Sequence, residues 1–190
     1  MTYNPEFHHR RSIRLKEYDY SQTGAYFVTV CTWNRECLFG EIKNGETILN
    51  EFSEIAMKYW DDLPNYYPNA QLDEFIVMPN HIHGVVSLSN VGAQFIAPFR
   101  KTTAGNNGIN PDVMNHASTI GKIVRAFKAR CTHAINKIRN SPGIPLWQRN
   151  YYEHIIRDEN ELTHIREYII NNPLQWAEDE NNPNNIKAVK

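Results

Sequence analysis

The alternation of apolar and polar positions divides the chain into a small set of elements. "GAYFVTVCTW" (Gly24 to Trp33) is β-branched and aromatic with partial alternation, which predicts a strand. In "CLFGEIKNGETIL" the pair Asn44-Gly45 lies between short apolar groups and signals a hairpin. "NEFSEIAMKYWDDL" sets Phe52, Ile55, Ala56, Tyr59 and Trp60 at helical spacing, with Asn50 as a cap and Pro64 as the stop. Two strand-like runs follow, "AQLDEFIVMP" and "NHIHGVVSL". The turn pair Pro79-Asn80 separates them, so they are expected to lie side by side and antiparallel.

From Asn90 to His116 the chain is rich in Gly, Asn, Thr and Pro and has no periodicity, which predicts a long mobile loop. "ASTIGKIVRAFKARCTHAINKIRN" is the clearest helix. Ile120, Ile123, Val124, Phe127, Cys131, Ile135 and Ile138 form its apolar stripe, Ser118 or Thr119 can cap it, and Ser141-Pro142-Gly143 stops it. "LWQRNYYEHII" reads as a strand. "DENELTHIREYIINN" reads as a last helix, capped near Asp158 and closed by Pro173. The Asn- and acid-rich tail after Trp176 is expected to be loosely ordered. Without the hairpin and the last helix, the order is β-α-β-β-α-β. That is the ferredoxin-like arrangement of the α+β class, an antiparallel sheet with helices on one side. The expected organisation is one domain over 1–190: an arm to about residue 20, a core over 21–157, a helix over 158–173 and a tail over 174–190.

Composition agrees with a folded domain. The chain has 190 residues, of which 41% are hydrophobic and 12% aromatic, enough to bury a core. Cys31, Cys37 and Cys131 form no paired framework, which points to a reducing, cytoplasmic setting. Neither a signal-peptide pattern nor an apolar run of membrane-spanning length is present, so no membrane is expected.

Charge changes the picture more than composition does. The net charge is −1, yet Gly92 to Arg149 holds nine bases against the single acid Asp112. On the long helix Lys122, Arg125, Lys128 and Arg130 are basic, and no acid occurs from Ala117 to Arg139. Such a field suits a polyanion, or simply a solvated helix face. His8, His9, Arg10, Arg11 and Arg14 make a second basic group, an arm that grips nucleic acid or a plain tail.

The candidate chemistry begins at "VMPNHIHGVV". Residues i and i+2 of a strand face the same way, so His81 and His83 share a side while Ile82 enters the other. Two imidazoles so placed can hold a cation or can simply pack, and two ligands are too few for a site. In "HIREYIINNP", Tyr168 and Asn172 are four apart on one helical face, at the border of the stripe Leu162, Ile165, Ile169. By spacing alone Tyr168 is equally well a rim residue.

Taken together and in order, "FIVMPNHIHGVV", "LWQRNYYEHIIRDENEL" and "HIREYIINNPLQW" resemble the REP-associated tyrosine transposases. These belong to the single-tyrosine HUH endonuclease superfamily, with the transposases of small single-stranded insertion sequences. The resemblance spans about Tyr26 to Trp176 and implies a ferredoxin-like core. It implies His81 and His83 as metal ligands, Tyr168 as nucleophile, and Asn172 at the position of a third, polar ligand. It further implies cleavage and rejoining of single-stranded and hairpin DNA through a 5′-phosphotyrosine, with Mg²⁺ or Mn²⁺ and without ATP. Lys122, Arg125, Lys128, Arg130 and Arg149 then become candidate DNA contacts, as do Arg10, Arg11 and Arg14 of the arm. Trp147, Tyr151 and Tyr152 can stack on unpaired bases, and His164 and His154 are possible supporting residues. The family also implies a prokaryotic, nucleoid-associated protein, monomeric or homodimeric. Two other classes fit the residues: a hairpin-binding module without turnover, and an unrelated metal-dependent hydrolase.

Overall fold

The computed structural model describes residues 23–89 and 120–185. Strand β1 (Gly24–Cys31) leads through a short 3₁₀ turn to the hairpin β2 (Gly40–Lys43) and β3 (Glu46–Leu49). The hairpin turns at Asn44-Gly45, both at positive φ (54° and 80°) as a two-residue type I′ turn requires. Helix α1 (Glu51–Asp61) starts in a capping box: the Asn50 side chain accepts from Phe52 and Ser53 N–H, and Ser53 Oγ accepts from Asn50 N–H. Pro64 does not end the helical path there. It opens a second short turn, α2 (Leu63–Tyr66), because a proline is well placed in a first helical turn.

β4 (Ala70–Met78), β5 (His81–Leu88), α3 (Ile120–Ile138), β6 (Tyr152–Ile156) and α4 (Glu159–Asn171) complete the chain order. The sheet runs β4-β5-β1-β6 with every neighbouring pair antiparallel, the ferredoxin-like order. The β6 strand is shorter than its apolar run suggested. Trp147 makes only an isolated bridge with Thr32, and pairing resumes at Tyr152.

Strand parity sends alternate residues to two cores. Tyr26, Val28, Val30, Ile82 and Val86 meet Trp60 of α1 and Ile123, Phe127 and Ile135 of α3. Phe27, Val85 and Ile156 meet Ile169 of α4, with Leu162 and Ile165 packed beside it. The core helices α1 and α3 therefore share one face, as expected of the β-α-β-β-α-β core, and the additional helix α4 covers the other with its own apolar stripe. Gly84 shows how tightly the first core closes: a Cβ there would lie 2.3 Å from Trp60 Cζ2.

The tail is also unlike the expectation. Residues Asn172–Glu178 and Pro183–Asn185 form 3₁₀ turns, and Asp179, Asn181 and Asn182 are buried. Their amides explain the order. Asn182 Nδ2 donates to Trp176 O (2.9 Å), Asn185 Nδ2 to Ala177 O (2.7 Å), and Asn80 Nδ2 to Asn181 O (2.7 Å). Asparagines that look like linker composition serve here as backbone partners. The N-terminal arm, the expected loop over 90–116, the Ser118 and Thr119 caps and residues 186–190 lie outside the described residues.

Candidate active site

Because His81 and His83 occupy odd positions of β5, they sit on the α4 face, and both are buried. Asn80 fixes the tautomer of the first. Its amide nitrogen donates to Arg35 O (3.0 Å) and Asn181 O (2.7 Å), so its oxygen is the atom facing His81 Nδ1 at 2.9 Å. An amide oxygen only accepts, so the ring proton is on Nδ1 and Nε2 presents a lone pair. His83 Nδ1 is held by Thr29 Oγ1 at 2.8 Å, across the β1–β5 pair. The two Nε2 atoms face each other at 3.0 Å.

Burial pushes His81 down to about 3, with the Arg35 charge acting the same way. His83 is held well below the ordinary histidine range by burial and then by His81. Both rings are thus neutral near pH 7, the form that ligates metals. The two Nε2 atoms are close enough to bind one ion together. The Asp179 carboxylate completes a cluster: its Oδ2 lies 3.8 Å from His81 Nε2, and the ligand atoms of His81, His83 and Asp179 all lie within 4.8 Å of one another. These three residues can hold a metal ion.

Tyr168 reaches the same place from α4, with its hydroxyl 3.5 Å from His83 Nε2. Phe27 supports both, stacked on His83 (centroids 5.3 Å) and edge-on to Tyr168 (6.0 Å). Burial is the main cause of the raised Tyr168 pKa. The Asp179 and Glu180 charges add to it, and a hydrogen bond with Asn172 opposes it. Asn172 is buried one turn beyond the tyrosine, and its Oδ1 has no partner among the described residues. Beside these groups opens a cleft of about 450 Å³ lined by Tyr168, His83, Tyr152, Arg35 and Glu180. Arg35 and the preceding Asn34 both have positive φ (56° and 52°), and the Arg35 guanidinium donates to Glu180 O.

The other predicted residues are spread more widely. Lys122 and Arg125 are exposed along α3, and Arg149 is exposed in the segment before β6. Lys128 and Arg130 already have protein partners. The Lys128 amine donates to the carbonyls of Gln148 (2.6 Å), Arg149 (3.3 Å) and Asn150 (3.2 Å), and burial lowers its pKa to about 8. Arg130 pairs with Asp62 at 3.0 Å and lies over the Tyr59 and Tyr66 rings. His154 meets Glu161 Oε1 at 2.6 Å and so ties β6 to the first turn of α4, whereas His164 is exposed. Trp147 is buried against Phe39 and Phe127, while Tyr152 is half exposed at the cleft. Arg10, Arg11 and Arg14 lie outside the described residues. Asp179, Thr29, Asn80 and Phe27 were not among the candidates from sequence. The only local signal for Asp179 was the run Glu178-Asp179-Glu180 in an otherwise amide-rich tail.

No family model matches the chain. An uncharacterized protein of Haemophilus influenzae (strain ATCC 51907 / DSM 11121 / KW20 / Rd) is 44% identical over 181 residues, covering 94% of this chain and 96% of that one. The two chains belong to one family. Its fold is shared with a solved structure of a REP-associated tyrosine transposase bound to a REP hairpin. That likeness has a TM-score of 0.56 and 18% identity, covering 87% of this chain and 74% of the other. This chain therefore shares the fold of that structure, and on it His81, His83 and Tyr168 gather on one face of the sheet. No helix among the family member's described residues is long and apolar enough to cross a membrane.

Proposed function

We propose that this protein is a transposase-like, single-tyrosine HUH endonuclease. In this reading it cuts and rejoins single-stranded DNA beside a hairpin, with Mg²⁺ or Mn²⁺ as cofactor. The observation that carries the reading is the meeting of Tyr168 Oη with His83 Nε2 at 3.5 Å, beside a second imidazole whose lone pair points the same way. A packed core histidine pair would not need a phenol from another element aimed at it. The transposase-like fold and the hairpin bound by the solved relative support the DNA substrate.

His81, His83 and Asp179 would hold the ion, and Asn172 Oδ1, buried without a partner among the described residues, is a candidate further ligand. Such an ion would supply positive charge against the phosphate oxygens and the leaving 3′-oxygen. Tyr168 Oη forms the bond to phosphorus while the bond to the 3′-oxygen breaks. The phenolic proton is lost and the departing strand is left as a 3′-hydroxyl. The energy of the broken bond is kept in the 5′-phosphotyrosine, so a second 3′-hydroxyl can reverse the step. Phe27 limits the swing of the phenol, and Asn172 holds its hydroxyl. Arg35, the one Lys or Arg among the described residues lining the cleft, would meet a phosphate there.

The test is strand cleavage of a labelled hairpin with single-stranded flanks in Mn²⁺. His81→Ala should lower the cleavage rate by about 100-fold or more while most DNA affinity remains. Undiminished cleavage by His81→Ala at limiting metal contradicts the metal assignment. DNA binding by the wild type without any cleavage makes the protein a binding module instead.

A further inference from the structure

The C-terminal half of α3 and the segment 140–149 enclose a groove of about 870 Å³ that the chemistry above does not use. Its helical wall is the face carrying Ala129, His133 and Lys137, four residues apart so that each lies over the next turn, with Asn140 just past the helix end. Ile144, half exposed, and Pro145 form an apolar strip on the other wall, and Arg149 stands at the end. No acid occurs from Ile120 to Tyr152, so both walls are cationic or neutral. Among the described residues neither Lys137 nor Arg149 pairs with a carboxylate, in contrast to Arg130 with Asp62. The outer wall is held in place by the Lys128 amine, which takes the three carbonyls of Gln148, Arg149 and Asn150. Gln148 lines this groove and also the catalytic cleft, where Tyr152 exposes half its surface beside Tyr168.

We infer that this groove is the track for the unpaired DNA strand that runs from the hairpin to Tyr168. The inference rests on the DNA-cleaving reading above and adds where the single strand lies. Cationic walls flanking an apolar strip suit a single strand, whose phosphates need charge and whose base faces need apolar or aromatic surface. A duplex offers no free base face to Ile144 and Pro145. The path is continuous: phosphates on Lys137 and Arg149, bases on the Ile144 strip, then past Gln148 to Tyr152 in the cleft. Lys122 and Arg125 extend the same helical face by two turns beyond Ala129, on the side away from Asn140.

The experiment compares fluorescence anisotropy of two probes: a hairpin carrying a single-stranded extension, and the same hairpin with a blunt end. Wild-type protein should bind the extended probe more tightly. In Lys137→Glu/Arg149→Glu that advantage should shrink by roughly tenfold or more. The slope of log affinity against log salt for the extended probe should flatten by about 1.4, the share of two single-strand phosphates. Ile144→Ser, which leaves the charge alone, should also reduce the advantage. An unchanged advantage in both variants, with thermal unfolding like the wild type, overturns the groove assignment and leaves the cleavage reading standing. If the wild type binds neither probe and forms no covalent product, the cleavage reading itself falls, and this inference with it.

Discussion

At the scale of single residues, the histidine pair acts as a unit because two neighbours orient its rings. Asn80 Oδ1 takes the Nδ1 proton of His81, and Thr29 Oγ1 occupies Nδ1 of His83, so both Nε2 atoms are turned inward. Groups behind metal-ligating histidines commonly govern affinity by 10- to 100-fold. Asn80→Ala should therefore weaken Mn²⁺ binding by about that factor, read by calorimetry. An unchanged affinity would mean that the ring needs no such support. The shared face of His81 and His83 was legible from a two-residue strand spacing, whereas Tyr168 was a rim residue by spacing and stood out only through the resemblance to the tyrosine transposases. Asp179 was not, since nothing local tells an acid in an asparagine-rich tail that it will fold back against β5. Thr29 and Phe27 depend on the pairing of β1 with β5, which alternation alone does not register.

At the scale of elements, the question is what aims α4. Its apolar stripe seats it on the sheet, while two polar ties set its direction. His154 meets Glu161 at the first turn. Arg166 grips Asp73 at two points, 2.7 and 2.5 Å, where β4 shifts register between Leu72 and Phe75. The Arg166 hydrogen bonds hold the Asp73 carboxyl below the ordinary carboxylate range, against a smaller opposing effect of burial. A depressed folded-state value makes this contribution complete above about pH 4. It is lost as pH falls through the folded value. Asp73→Asn should lower the thermal midpoint at pH 7 and show less of a further drop below pH 4 than the wild type. It should also slow cleavage, since Arg166 is two residues from Tyr168, the proposed nucleophile; identical rates would show that packing alone aims the helix. Strands, helices and their order were legible because periodicity reports them. The irregular path from Leu146 to Tyr151 was not. There Lys128 takes carbonyls that a regular strand would have paired in the sheet, an interaction no periodicity encodes.

At the scale of the whole molecule, a chain of net charge −1 exposes Lys122, Arg125 and Lys137 of α3 and Arg149 of the neighbouring segment in a stretch without acids. Part of the basic helix serves the fold instead: Lys128 pins a loop and Arg130 stacks on Tyr59 and Tyr66. Counting bases along the sequence could not separate these two groups, because the partners come from distant elements. Lys122→Glu/Arg125→Glu should weaken hairpin binding and flatten its salt dependence by about 1.8, the share of two duplex phosphates. The same slope in the variant would move the duplex surface elsewhere. The central claim is that Tyr168, brought to the histidine pair by α4, becomes covalently joined to DNA. The direct measurement is a denaturing gel of protein mixed with labelled hairpin DNA and Mn²⁺. The wild type should carry label at the mass of protein plus cleaved strand, and Tyr168→Phe should carry none. Label retained by Tyr168→Phe, or strand cleavage by that variant at the wild-type rate, would contradict the account.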